Sequence, residues 1–344
     1  MHLRQSSGWG LHPFIINEAT PLTKLPWNLE FVSAPSFWPH SRGGGAVVAV
    51  IDTGLDIDHP EFSGRILNPR NFSTVGNTAD VSDDNGHGTH VAGTIAGASC
   101  GVAPEARIMP LKVFGDAKVD QNIVDAFNHI YHYNKNCAEK DRVIAVNCSF
   151  GAGYYDAIMA WSIRRLVDSG VAVVVAAGNQ GDGNPETHEV FSFPAYIWEV
   201  ITTAAVARDG SVAGYSNSFD GIDLAAPGSE IYSAWPGGGY KLLSGTSMAA
   251  PHVTAALALI YDQWRQREGC WPTEAEAAAV LLKHTRKVSI DPFLIGQGIL
   301  ELGFVNTRWP LYRVQLGAYW NKRGAEISSG LLQGAGFKTY ITRY

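Results

Sequence analysis

Two kinds of hydrophobic spacing alternate along this chain. The largely apolar segments Ala46–Ile51, Arg107–Phe114, Val143–Cys148 and Val171–Ala177 lack the polar alternation of a half-exposed sheet and predict strands covered on both faces. Between them, Asp120–Tyr133 carries apolar residues at amphipathic helical spacing. Ala249–Trp264 is rich in Ala and Leu and has no glycine, so both stretches predict helices. Strands alternating with helices in this way predict an α/β fold: a doubly wound parallel sheet flanked by helices.

The ends of the chain break the pattern. Residues 1–22, with Pro13 and Pro21, predict an extended arm outside any core, and the arm carries its own motif, Leu11-His12-Pro13-Phe14. Arg42-Gly43-Gly44-Gly45 predicts a flexible break before the first strand. Beyond Arg308-Trp309-Pro310, Tyr312–Tyr319 alternates like a strand, Asn321–Gly334 reads as helical and Lys338–Thr342 as strand-like, a short βαβ extension. Three parts are expected: an arm over 1–22, a central domain over 23–308 and a tail over 309–344.

The chain has 344 residues, 46% hydrophobic and 17% charged, which allows one large domain and excludes general disorder. Its net charge of −6 with scattered basic residues points away from nucleic-acid and membrane partners. The four cysteines, Cys100, Cys137, Cys148 and Cys270, show neither framework nor zinc spacing and fit reduced thiols in the cytoplasm. The arm has no apolar run of secretory length and no segment has membrane-spanning length, so a cytoplasmic protein is expected.

Candidate chemistry gathers where elements end. Asp52-Thr53-Gly54 closes the first predicted strand, at the edge where open α/β sheets place their crevices. The glycines precede that strand, so a nucleotide loop fails, and an aspartic protease needs a second Asp-Thr-Gly. Taken alone, the triplet reads equally as a turn. Asn85–Thr94 opens a tightly packed helix with His87 at its entrance, while His90, one turn on, is expected to be a hydrogen-bonded core residue. The pair lacks the adjacent Glu of a zinc peptidase. Asn179 follows the strand ending at Ala177. In Gly245-Thr246-Ser247-Met248-Ala249-Ala250-Pro251-His252 a serine stands at the start of a helix, with Pro251 in its opening turn; it could be merely an N-cap, but the helix start also suits an oxyanion.

Together, Asp52, His87, Asn179 and Ser247 could supply an orienting carboxylate, a base, an oxyanion donor and a nucleophile. Their order, Asp then His then Ser, is that of subtilisin and not of α/β-hydrolases, whose nucleophile elbow also needs a glycine absent after Ser247.

Over residues 10–305 the chain resembles the subtilisin-family serine peptidases, through Ile51–Gly54, His87–Thr94, Ala176–Asn179 and Gly245–Pro251. The resemblance implies Asp52 as orienting carboxylate, His87 as general base then acid, Ser247 as nucleophile and Asn179 as oxyanion donor beside the Ser247 N–H. It implies that Ser149-Phe150-Gly151 and Ala176-Ala177-Gly178 flank the primary side-chain pocket. Lys118-Val119-Asp120 replaces a Gly/Ser-rich strand of relatives and is expected to narrow or charge the outer subsites.

Bacterial intracellular subtilisins are the most similar subfamily. Gly178–Gly183 followed by Phe193–Tyr196 resembles their loop, and Leu11-His12-Pro13-Phe14 resembles the segment they lay across their own active site, implying an inhibitory extension removed by cleavage. Calcium is common in the family. The short segment Thr94–Val102, with Glu61 in place of an Asp ligand, implies loss of one site, whereas Asp223 with the carbonyls of Trp198 and Val200 matches another Ca²⁺ site. The tail resembles half of a sporulation-related repeat (SPOR) domain, which implies a peptidoglycan partner, with a homodimer as the competing role. The expected protein is a cytoplasmic serine endopeptidase with protein substrates. The competing class is a non-catalytic peptide- or peptidoglycan-binding protein on the same scaffold.

Overall fold

Every position of the strand Val47–Asp52 is buried, and the same holds for Val143–Cys148, Ala172–Ala176 and Ile201–Val206. Such strands need cover on both sides, and helices supply it. In the computed structural model, which describes residues 9–19, 24–73, 77–187 and 192–303, they form one nine-stranded sheet. Its order is Thr285–Arg286, Ile299–Leu300, Leu224–Pro227, Ile201–Val206, Ala172–Ala176, Val143–Cys148, Val47–Asp52, Arg107–Lys112 and Arg70–Asn71. All neighbours are parallel except the first pair, so the doubly wound α/β fold holds.

One face carries Val47, Ala49, Ile51, Val146 and Val173, which share a core with Ile123, Phe127 and Ile130 of the helix Val119–Asn136 and Ile163 and Leu166 of the helix Ala157–Asp168. Alternate residues point to the opposite face. There the helix Thr246–Glu268 packs on the sheet and on the helix His87–Ala96. Residues Thr246–Gln263 are buried without a break, as suits a helix surrounded by protein on all sides. Among the described residues no helix is long and apolar enough to cross a membrane.

Local details differ from the sequence reading. The long helix starts at Thr246, behind Gly245, which puts Pro251 beyond the first turn. A proline there supplies no N–H to the carbonyl four residues back, that of Ser247, and the Ser149 hydroxyl donates to that carbonyl instead, at 2.9 Å. The glycine segment before the first strand is a packed turn: Gly43 N–H donates to Ser41 Oγ at 3.0 Å and Gly45 N–H to Asp262 Oδ1 at 2.9 Å. Lys118-Val119-Asp120 enters a helix, and Asp120 Oδ2 accepts from the Tyr154 hydroxyl at 2.6 Å.

The arm corrects the reading most. Trp9 is 6% exposed and belongs to the core, with its ring 5.4–6.1 Å from those of Phe150, Tyr154 and Phe193 in edge-on contacts. Gly10–Leu11 then pairs antiparallel with Phe150–Gly151, and Ile15–Glu18 pairs antiparallel with the strand Gly239–Ser244. The chain divides into units 1–305 and 306–344. The SPOR-like unit expected over 309–344 lies outside the described residues.

Candidate active site

Asp52 ends its strand at the carboxyl edge of the sheet, and the helix His87–Ala96 starts beside it. Gly86 caps that helix with φ +94°, a left-handed conformation that favours glycine. The helix entrance is held by Asp83, which the sequence reading overlooked. Its Oδ1 accepts from Gly86 N–H at 2.9 Å and from the Thr53 hydroxyl at 2.8 Å, and its Oδ2 accepts from Thr89 N–H at 2.8 Å. Thr53 Oγ1 accepts from Gly88 N–H at 2.9 Å, tying strand end to helix start. The signal was present: an acidic residue just before a helix start is a capping pattern.

Within that frame His87 Nδ1 lies 2.8 Å from Asp52 Oδ1, which also accepts from Thr53 N–H at 2.7 Å. Both side chains are buried, and His87 Nε2 has no hydrogen-bond partner. Such an imidazole is held at one nitrogen and open at the other. Ser247 is the second residue of its helix, and its hydroxyl donates to the Ser149 carbonyl at 3.1 Å.

Asn179 is fixed through its amide oxygen, which accepts from Thr246 N–H and the Thr246 hydroxyl, both at 2.8 Å. Its Nδ2 is thereby aimed outward and donates to the Pro13 carbonyl at 2.6 Å. Asn217, another residue missed in the sequence, braces the preceding turn. Its Nδ2 donates to the Ala177 carbonyl at 3.0 Å, its N–H to the Gly178 carbonyl at 3.1 Å, and its Oδ1 accepts from Gln180 N–H at 2.8 Å. Gly178, with φ +109°, donates its N–H to Thr246 Oγ1 at 3.1 Å.

The arm passes through this cleft. Leu11 lies opposite Phe150 and Gly10 opposite Gly151, so the next step of the register sets His12 beside Ser149. His12 is buried against Gly151, and the Ala176 backbone hydrogen-bonds its ring. Burial, with a smaller push from His87, lowers its pKa to about 4. The Phe14 ring sits 5.0 Å from the His87 ring.

Other expected residues lie apart from this cluster. His90 Nε2 bonds the Ile231 carbonyl at 2.9 Å, and burial lowers its pKa to about 3, as suits a neutral core histidine. The Glu61 carboxylate accepts from Ser99 N–H at 2.7 Å, from the Ser99 hydroxyl, and from the Tyr240 hydroxyl at 2.8 Å. Burial pushes its pKa up, but these bonds outweigh that and hold it below the usual range. The protein's own donors thus fill the Glu61 carboxylate. Asp223 Oδ2 accepts from Thr202 N–H at 2.8 Å, and burial raises its pKa to about 7. Val200 is buried and the Trp198 side chain exposed. Among the described residues no three His, Cys, Asp or Glu cluster as metal ligands, so hard-cation binding at Asp223 would depend on backbone carbonyls.

A family model described as "Subtilase family" matches residues 43–298. The chain is 38% identical to "Intracellular serine protease" of Paenibacillus polymyxa, over 84% of this chain and 88% of that protein. It is also 38% identical to "Major intracellular serine protease" of Bacillus subtilis, over 85% and 92%. With "Subtilisin-like protease 3" of Arthroderma benhamiae the identity is 40%, over 70% and 57%. A parallel sheet with Asp52, His87, Asn179 and Ser247 at the ends of its elements, together with these likenesses, leads to one conclusion: the chain belongs to the subtilase family of serine endopeptidases.

Proposed function

We propose that this serine endopeptidase works through Asp52, His87, Asn179 and Ser247, and that its own arm holds it inactive until the arm is cut. The observation that carries the reading is the 2.6 Å hydrogen bond from Asn179 Nδ2 to a backbone carbonyl of an extended segment lying in the cleft. A donor fixed in this way serves a peptide carbonyl as its oxygen gains charge.

In the reaction the Ser247 hydroxyl turns from the Ser149 carbonyl to His87 Nε2, which takes its proton as Oγ attacks the peptide carbonyl. Asp52 keeps the imidazole in the tautomer that leaves Nε2 open and stabilises the cation that forms. Asn179 Nδ2 and the Ser247 N–H donate to the oxyanion. His87 then gives the proton to the leaving amine, and water attack on the acyl-enzyme repeats the steps. Reaction with an active-site phosphonate tests this: Ser247 should be the residue labelled, and labelling elsewhere would overturn the assignment.

Autoinhibition rests on register. His12 fills the pocket between Gly151 and Ala176, yet the carbonyl at Asn179 belongs to Pro13, one residue further on. The proline ring fixes φ and bends the path, so the His12 carbonyl is not presented to Ser247. The Phe14 ring, centred 5.0 Å from the His87 ring, also crowds the imidazole. Removing the arm, with the chain starting near Thr23, should raise peptide hydrolysis by orders of magnitude; equal rates would end the idea.

The two bacterial relatives named as intracellular support a site of action inside the cell. A Ca²⁺ ion held by Asp223 and the Trp198 and Val200 carbonyls would keep the Asp223 carboxyl ionised against the burial that raises its pKa. Added calcium should then raise the unfolding midpoint of the protein but not that of Asp223→Asn.

A further inference from the structure

We infer that the primary pocket selects a histidine side chain in the substrate and that the buried hydroxyl of Ser192 sets this preference. The inference rests on the peptidase reading and deepens it by naming the residue preferred before the cleaved bond.

The arm shows what the pocket admits. His12, not an aliphatic or benzyl side chain, is the residue buried there, 5% exposed. Gly151 and Ala176 leave room for a ring. A methyl group placed on Gly151 would stand 2.7 Å from His12 Cε1, 3.0 Å from His12 Nε2 and 2.9 Å from Ser192 Oγ, so ring nitrogen and hydroxyl flank one point of the wall. Both atoms are buried and neither has a hydrogen-bond partner. A buried wall hydroxyl without a partner marks a pocket suited to a polar side chain, since an apolar occupant would leave that hydroxyl permanently unsatisfied.

The arm does not close this bond because it lies out of cleavable register. Pro13, not His12, gives its carbonyl to Asn179. A cleavable peptide must present the carbonyl of its pocket residue there, which shifts the chain along the cleft and lets the imidazole meet Ser192 Oγ. The ring enters uncharged. Burial disfavours the charged form of an occupant here, a cost that lysine and arginine would also meet. A site that hydrogen-bonds a substrate group rejects analogues lacking it far better than an apolar pocket rejects a changed size.

The test uses the full chain after its own processing or limited proteolysis, with peptides of the form Trp-Gly-Leu-X-Ala-Ala in which X is His, Gln, Leu, Phe or Lys. At pH 8 the expected kcat/KM for His exceeds that for Leu and Phe by about tenfold or more. Ser192→Ala should erase the advantage, bringing the His:Leu and His:Phe ratios of kcat/KM to about one, and Ser192→Thr, which keeps a hydroxyl, should restore it. Leu or Phe matching His, or a His preference that survives in Ser192→Ala, would overturn the proposal and leave the peptidase reading intact. Failure to cleave any peptide of the series would overturn that reading and this proposal together.

Discussion

Asn179 holds the Pro13 carbonyl with one end of its amide and the start of the Ser247 helix with the other. On the proposed reading the same side chain would serve the oxyanion in the reaction and the arm before its removal. In the processed enzyme, Asn179→Ala should lower kcat by about 10²–10³ with little change in KM, because the lost bond strengthens only as the oxyanion forms. A synthetic peptide spanning 9–18 should also inhibit the variant less. Steady-state kinetics with and without that peptide reads both effects.

Arm docking should weaken in acid. Burial lowers the His12 pKa to about 4 from its ordinary 6.5, so the docked state prefers the neutral ring. That preference is complete above pH 6.5 and is lost as pH falls from 6.5 toward 4, by at most on the order of 3 kcal/mol. Amide exchange of residues 10–18 should quicken over this window. His12→Leu, which cannot titrate, should flatten the change; an unchanged profile would mean that another group governs release.

Gly88 follows His87 in the chain and has no room for a side chain. A methyl group there would collide with the Gly54 carbonyl oxygen and stand 3.1 Å from Asp52 Cβ. The displacement falls between strand end and helix start, where the 2.8 Å contact from His87 to Asp52 is set. Gly88→Ala should lower kcat by about 10²-fold, with a lower unfolding midpoint. A variant with full kcat would show that the pair tolerates such a shift.

Ser149→Ala tests how the proline in the long helix is accommodated. The Ser149 hydroxyl donates to the Ser247 carbonyl and accepts from Asn147 Nδ2, at 2.9 Å in each case. Its removal strands two buried polar groups and should cost about 1–3 kcal/mol of stability, readable by denaturant titration. Replacing Pro251 with Ala in the same background should recover part of the loss, since an N–H would again reach the Ser247 carbonyl.

The sheet was legible because its central strands are written as unbroken apolar runs, and the topology sets Asp52 at a strand end and His87 and Ser247 at helix starts. What sequence did not show were features created only by distant segments meeting. Trp9 reads as one residue of a polar arm until Phe150, Tyr154 and Phe193 come together around it. Pro251 looked like a first-turn residue because nothing local reveals that Ser149, 98 positions before Ser247, replaces the missing donor. Asp83 carried a local capping signal, but its bond to the Thr53 hydroxyl exists only once the strand end and the helix start meet.

The arm grips one edge of the cleft through Gly10–Leu11 and the other through Ile15–Glu18, with the Asn179 contact between. On the proposed reading the arm is a tethered two-handed ligand, which would act at any dilution while the strand between its hands is whole. A single cut near Pro13 would turn it into two weak, separate binders, and the one no longer joined to the body would be lost to bulk solution. Release of this kind behaves as a ratchet: one nick suffices, and dilution prevents its reversal.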